Sequence, residues 1–231
     1  MSQENGKKII AFSIWGSIPM YTIGALKNID LAKEIYPGWI CRFYVKNDVP
    51  QDIIDSIIEK GGEVIIVDDS KIRGSFDGMF WRFMSASDID VDVMISRDTD
   101  SRLSMREKLA VDDWLNSDKS FHIMRDHPYH DVPILGGMWG CRGGVLSNLS
   151  SMLSRWSSFD YKGCDQDLLQ QVVYQNIVDD CVVHDEFFYF SPNAVPFPSE
   201  RNNFEFVGEI FDENDKRSDH WLHLTVCRRA R

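Results

Sequence analysis

Apolar and polar positions along the chain change period several times. Residues 8–14, 40–45 and 63–67 are near-continuous apolar runs of strand length, each closed by turn residues, as buried strands of a parallel sheet require. Between the first two runs, Tyr21, Ala25, Leu26 and Ile29 recur at helical spacing; between the next two, Ile53, Ile54, Ile57 and Ile58 form a helical stripe that Gly61-Gly62 ends. A helix over residues 78–87 carries Trp81 and Arg82 into a fourth buried strand that begins at Val91. Beyond it the pattern predicts a helix at 105–115 and a short strand at 121–124, then a polar loop at 125–131. A glycine-rich bulged strand or turn follows at 134–144, then helices at 149–156 and from 163, and a strand at 181–184. Strands alternating with helices imply βαβ units in one α/β domain, with ligands collected at the carboxyl ends of the strands.

The fourth strand ends in Arg97-Asp98-Thr99-Asp100. Alternation along an extended chain sends Asp98 and Asp100 to one side and Thr99 to the other. Two carboxylates facing one way suit a hard cation such as Mn²⁺ or Mg²⁺, which favours oxygen ligands and lets a diphosphate complete its shell. An acidic turn is the commoner fate of so short a motif, so its surroundings decide. The loops after the first and third strands fall at the same edge and bring Ser13, Trp15, Asp68 and Arg73. The glycine-rich segment has five glycines in eleven residues. It is neither a phosphate-binding P-loop nor a dinucleotide fingerprint.

Charge and cysteine usage narrow the partners. Lys and Arg number 25 against 36 Asp and Glu, a net charge of −11, which argues against nucleic acid and requires a metal or a local arginine for any anionic substrate. Five scattered cysteines, Cys41, Cys141, Cys164, Cys181 and Cys227, read as free thiols of a reducing compartment. There is no signal-peptide pattern and no apolar run of membrane-spanning length, so a cytoplasmic protein is expected. The basic ending Arg228-Arg229-Ala230-Arg231 is the one place where peripheral membrane contact is expected.

Taken in order, Asp98-Thr99-Asp100, Gly136-Gly137-Met138-Trp139-Gly140, Asp165-Gln166-Asp167 and a strand ending in His184 resemble the GT-A class of nucleotide-sugar glycosyltransferases. Residues 96–102, 124–128 and 136–139 look like a family of viral and bacterial glycan-building transferases, and the resemblance covers most of residues 8–211. It implies a GT-A, Rossmann-like fold with a mixed, mainly parallel sheet flanked by helices. Within that single domain the nucleotide-binding half spans about 8–102, the acceptor and catalytic half about 103–211, and a tail 212–231.

The resemblance also implies an activity: metal-dependent transfer of a sugar from a nucleoside-diphosphate sugar, most simply a UDP-sugar, to a glycan or other hydroxyl acceptor. By the same resemblance Ser13, Trp15, Asp68 and Arg73 hold the nucleoside, and Arg82 or Arg97 neighbours the diphosphate. Asp98 and Asp100 hold the metal, Gly136 and Gly137 lie beneath the donor sugar, and His127, Met138 and Trp139 meet the acceptor. Asp165, Gln166 and Asp167 stand at the anomeric centre. The His-x-x-Gly and Lys-Pro-Trp element of related enzymes is missing, leaving His184 or His220 as third metal ligand. A retaining reaction would use Gln166 or Asp165 to stabilise positive charge, which the Asp-Gln-Asp match favours; an inverting one would take Asp165, Asp126 or Asp167 as base. Two other functions stay open: a sugar-phosphate nucleotidyltransferase, and a non-catalytic nucleotide- or glycan-binding protein on the same scaffold.

Overall fold

The computed structural model describes residues 6–187, 190 and 193–226; Cys227 and the basic ending at residues 228–231 lie outside them. Seven strands form one sheet in the order β3-β2-β1-β4-β6-β5-β7. They are β1 (Lys7–Ile14), β2 (Ile40–Val45), β3 (Glu63–Ile66), β4 (Val91–Ser96), β5 (Phe121–Arg125), β6 (Trp139–Arg142) and β7 (Cys181–Asp185). The first four pair in parallel, and β7 runs parallel to β5. The exception is β6, inserted antiparallel between β4 and β5. The mixed, mainly parallel α/β sheet expected from the sequence is therefore present.

Both faces of the sheet are covered, which is why its strands read as continuous apolar runs. Ile10, Phe12 and Ile14 of β1 pack on α1 (Pro19–Ile35), α2 (Gln51–Glu59) and α4 (Met105–Leu115), while Ile9 and Ala11 face the opposite cluster. That second cluster is completed by α3 (Gly78–Trp81), α5 (Leu149–Arg155) and α6 (Cys164–Leu168). A π-helical stretch, Leu169–Tyr174, continues α6 into α7 (Gln175–Ile177). Each large aliphatic or aromatic side chain so buried contributes roughly 1.5–3 kcal/mol.

Three departures from the sequence pattern bear on the site. The helix expected over residues 78–87 is α for only four residues, and Arg82–Ser87 winds as a 3-10 helix. At its start the Arg82 amide donates to Ser13 Oγ at 3.0 Å, which pins the segment to the end of β1. Second, the region beyond β7 is not a loose tail. Residues 205–218 form a strap along the loop after β4: the Phe211 amide donates to the Asp100 carbonyl at 2.8 Å, and Ser101 bridges Ile210. A short helix, α8 (Leu222–Val226), follows the strap.

The third departure concerns Trp139, expected at the acceptor. It is fully buried on β6, its ring 5.5 Å from that of Phe83, so it is a core residue and the acceptor assignment is corrected. Period two explains this, because neighbouring strand residues face opposite ways and Met138, one residue earlier, takes the cleft side. Trp139→Ala should lower unfolding stability by about 3–5 kcal/mol, read as a reduced denaturant midpoint, because it empties a packed site. A variant as stable as the wild type would contradict this placement.

Candidate functional site

The carboxyl ends of β1 and β4 open into a cleft of about 530 Å³, a size that fits a ligand. Local hydrogen bonds fix its floor. Asn28 of α1, fully buried, donates to the Ser101 carbonyl at 2.9 Å and accepts from the Leu103 amide at 3.1 Å, holding the second half of the loop after β4. Ser96 Oγ donates to the Gly136 carbonyl at 2.6 Å, tying β4 to the glycine-rich turn.

Asp98 and Asp100 both line this cleft, as the alternation required. Asp98 is ion-paired with the buried Arg82, whose other nitrogen reaches Asp165 at 3.3 Å. Burial opposes the Arg82 charge, but Asp98 and Asp165 hold its pKa above the ordinary arginine value. Burial, and then the neighbouring Asp98, push the Asp100 carboxyl up to about 6. Asp165, fully buried at the start of α6, is also pushed to about 6 by burial, with Arg82 opposing. Among the described residues, Asp165 Oδ1 and Arg82 Nε are buried with no hydrogen-bond partner. Buried polar atoms are seldom left so, and here they border a cleft.

The glycines are explained by these carboxylates. A Cβ on Gly136 would overlap Asp165 and lie 2.6 Å from Arg82, and one on Gly137 would overlap Asp98. Absence of side chains lets the turn lie directly on the charged groups.

The cleft thus brings together Ser13, Trp15, Arg82, Asp98, Asp100, Gly136, Gly137, Met138, Asp165 and Gln166. Trp15 stands at the lip, 38% exposed, its ring edge-on to Trp81 at 6.0 Å. Arg73 lines a smaller adjoining pocket that shares Trp15 with the cleft. Its guanidinium is committed to Asp77 at 2.8 Å and to the Leu153 carbonyl at 2.6 Å.

Six expected site residues lie elsewhere. Asp68 lines neither pocket; it is exposed and caps a 3-10 turn by accepting from the Ser70 amide at 3.0 Å. Arg97 is 2% exposed and points away from the cleft, paired with Glu107 at 3.2 Å. His127 is buried against Phe206, with its Nε2 3.0 Å from the His220 carbonyl oxygen, so it anchors the C-terminal segment. Trp139 is core, as described. Asp167 accepts from the Tyr161 hydroxyl outside the cleft.

His184, the sixth, is fully buried on β7, its Nδ1 2.9 Å from His122 Nε2 and its Nε2 3.2 Å from Asp113. It cannot ligate beside Asp98. The alternative, His220, packs on His127 and Tyr129. Among the described residues no group of three His, Cys, Asp or Glu side chains is arranged to hold a metal, so the protein offers two carboxylates. Two suffice for a hard cation whose remaining positions are filled by a diphosphate and water. The burial and the neighbouring Asp98 charge that push the Asp100 carboxyl up are what a cation would relieve.

His130, which with His127 was weighed between the surface and the acceptor site, lines the cleft; the sequence reading missed Tyr21, Lys162, Gly208 and Ile210, which line it too. Tyr21 was expected on the apolar face of α1, but the first turn of that helix faces the carboxylates, and their charges raise the Tyr21 pKa further after burial has done so. Gly208 and Ile210 belong to the strap, whose path no local pattern announces.

No family model matches the chain, and no curated protein matches it in sequence. Solved structures do match in fold. Glucosyl-3-phosphoglycerate synthase from Mycobacterium tuberculosis, solved with Mn²⁺, UDP-glucose and glycerol 3-phosphate, aligns at a TM-score of 0.50 and 12% identity over 77% of this chain and 69% of that one. A glycosyltransferase involved in glycosylation of the PBCV-1 major capsid aligns at 0.47 and 18% identity over 78% and 81%. The 4-diphosphocytidyl-2C-methyl-D-erythritol synthase of Anaerococcus prevotii aligns at 0.49 and 12% identity over 84% and 94%. What the mycobacterial synthase shares with the chain is the fold, a mixed, mainly parallel α/β domain. No described helix is long and apolar enough to cross a membrane.

Asp165 gives a pH test in metal-free protein. Its folded pKa of about 6 lies above the ordinary 3.8, so its contribution to stability is present below pH 3.8 and lost as pH rises through about 6. Asp165→Asn removes that dependence. The variant's stability relative to wild type should be highest above pH 7 and fall by up to about 3 kcal/mol on acidification to pH 4, measured by denaturant unfolding. A difference constant with pH would contradict the buried, unpaired setting of Oδ1.

Proposed function

We propose that the protein is a metal-dependent glycosyltransferase that moves a sugar from a nucleoside-diphosphate sugar, most simply a UDP-sugar, to a hydroxyl acceptor. One observation carries the reading: Asp98 and Asp100 share a cleft with the half-unpartnered Asp165 across a floor of two glycines. The UDP-glucose and Mn²⁺ held by the mycobacterial synthase agree with it.

Residue by residue, Trp15 and the pocket beside it would take the nucleoside, and Asp98 and Asp100 would hold Mn²⁺ or Mg²⁺ against the diphosphate. Bound there, a divalent cation supplies stabilisation of the negative charge that grows on the departing diphosphate. Arg82 keeps Asp165 beside the donor sugar and is itself a buried positive charge near the leaving group. Gly136 and Gly137 allow the sugar ring to lie on the turn. The anomeric C–O bond to the diphosphate breaks and a bond to the acceptor oxygen forms. In the retaining course that the Asp-Gln sequence favours, the acceptor proton passes to the departing phosphate oxygen. Asp165 and Gln166 then offset the positive charge at the anomeric carbon. The non-catalytic alternative leaves the raised Asp165 without a use. The nucleotidyltransferase alternative lacks a basic glycine-rich loop after β1, where Trp15-Gly16-Ser17-Ile18-Pro19 stands.

The double variant Asp98→Ala, Asp100→Ala should stay folded and lose Mn²⁺-dependent UDP binding in calorimetry; unchanged affinity would remove the site. EDTA should abolish donor binding by the wild type. A thermal-shift screen of nucleotide sugars with Mn²⁺ identifies the donor, because a ligand that binds only the folded state raises the melting temperature. With that donor, Asp165→Asn should slow transfer at least about a hundredfold, the scale of electrostatic or proton-transfer groups. Near-normal turnover would reassign the role.

A further inference from the structure

His130 lies on the cleft wall with Met138 and Gly208 and takes no part in the chemistry above. Its ring orientation fixes which nitrogen carries the proton. The Asp126 amide donates to His130 Nδ1 at 3.0 Å, so Nδ1 is an acceptor and, in the neutral ring, Nε2 bears the hydrogen. Among the described residues no hydrogen bond is made by Nε2. Burial, followed by the charges of His127, Arg201 and Arg125, pushes the imidazole down to about 3, so it stays neutral at physiological pH. A ring whose one lone pair is engaged and whose other nitrogen is protonated cannot act as a base. What it offers is a single N–H.

The position of that N–H follows from the glycines. Gly137 abuts Asp98, Met138 comes next, and Gly208 of the strap packs against Met138. A Cβ on Gly208, whose φ is +81°, would lie 2.8 Å from Met138 Sδ and 3.6 Å from His130 Cε1. His130 therefore stands past the donor-sugar floor, on the wall completed by the strap, where an acceptor would enter.

We infer that His130 presents its Nε2–H to the acceptor and binds an oxygen adjacent to the attacking hydroxyl, selecting polyol or sugar acceptors over isolated alcohols and amines. A donor aimed at the attacking oxygen itself would lower its nucleophilicity, whereas one aimed at its neighbour orients the hydroxyl without that penalty. An ammonium or amide hydrogen at the same place would face another hydrogen. This inference rests on the transferase reading.

Four measurements test it. Long-range ¹H–¹⁵N spectra should show His130 protonated at Nε2 from pH 5 to 8; a proton on Nδ1 overturns the inference. With the donor found by the screen, methyl glycosides and small polyols serve as acceptor probes. His130→Phe, which keeps the ring shape without the donor, should raise acceptor KM about tenfold or more, the scale of one neutral hydrogen bond, with donor KM within about twofold. His130→Gln should recover part of the loss, and a deoxy analogue lacking the adjacent hydroxyl should not distinguish wild type from His130→Phe. Equal changes in donor and acceptor KM, or an unmoved acceptor KM, overturn the inference while Mn²⁺-dependent UDP binding remains. If the wild type binds no UDP with Mn²⁺, the transferase reading falls first and takes this one with it.

Discussion

The site depends on one buried cation. Arg82 stands between Asp98 at the end of β4 and Asp165 at the start of α6, and so joins two elements that are 67 residues apart, from 98 to 165. Removing it would leave the buried Asp165 carboxyl without its counter-ion, a change that costs far more than the loss of a surface pair. Its placement depends in turn on the 3-10 winding of Arg82–Ser87 and on Ser13, and the glycine turn is free of side chains because the carboxylates occupy that space. Charge counting gives the consequence. Three carboxylates, Asp98, Asp100 and Asp165, face Arg82 and Lys162, so the cleft keeps an excess of negative charge.

Other buried charges in the chain follow the same rule without a cleft. Arg106 and Arg201 converge on Asp126, and Arg125 pairs with Asp185, all buried. These clusters hold the loop after β5 and the chain beyond β7 to the sheet. Polar residues in that region looked like binding groups in the sequence because the chemistry that binds a substrate also binds a neighbouring segment. Asp126, an alternative base in the sequence reading, is held here by two arginines and the Val207 amide at 2.9 Å.

What the sequence made legible was whatever period and order determine. The strands and the parallel half of the sheet were readable from apolar runs of strand length set between helical stripes, and the Asp98/Asp100 pair from alternation. Arg97 shows the rule applied incompletely, since the alternation that sends Asp98 into the cleft turns Arg97 the other way, onto Glu107. His184 failed for a reason of sheet order. From β4 the strands run β6, β5, β7, so β7 lies three strands from the carboxylates, roughly 14 Å at ordinary strand spacing. That order is non-local and leaves no mark in residues 181–184. The strap was invisible for the same reason: its contacts with Asp100 and Arg102 cross more than a hundred residues of chain, and its composition resembles any polar loop.

The strap carries one consequence for how the protein comes into being. Ribosomes deliver the chain from its first residue, and domains form as their segments emerge. The sheet, the arginine bridge and both cleft carboxylates lie within the first 185 residues, but the backbone partner of Asp100 is Phe211, and Arg102 waits for Asp212 and Asp215. A nascent chain can thus complete its core before the loop after β4 is held from both sides. The cleft is finished only after the strap of residues 205–218 has emerged and paired with that loop.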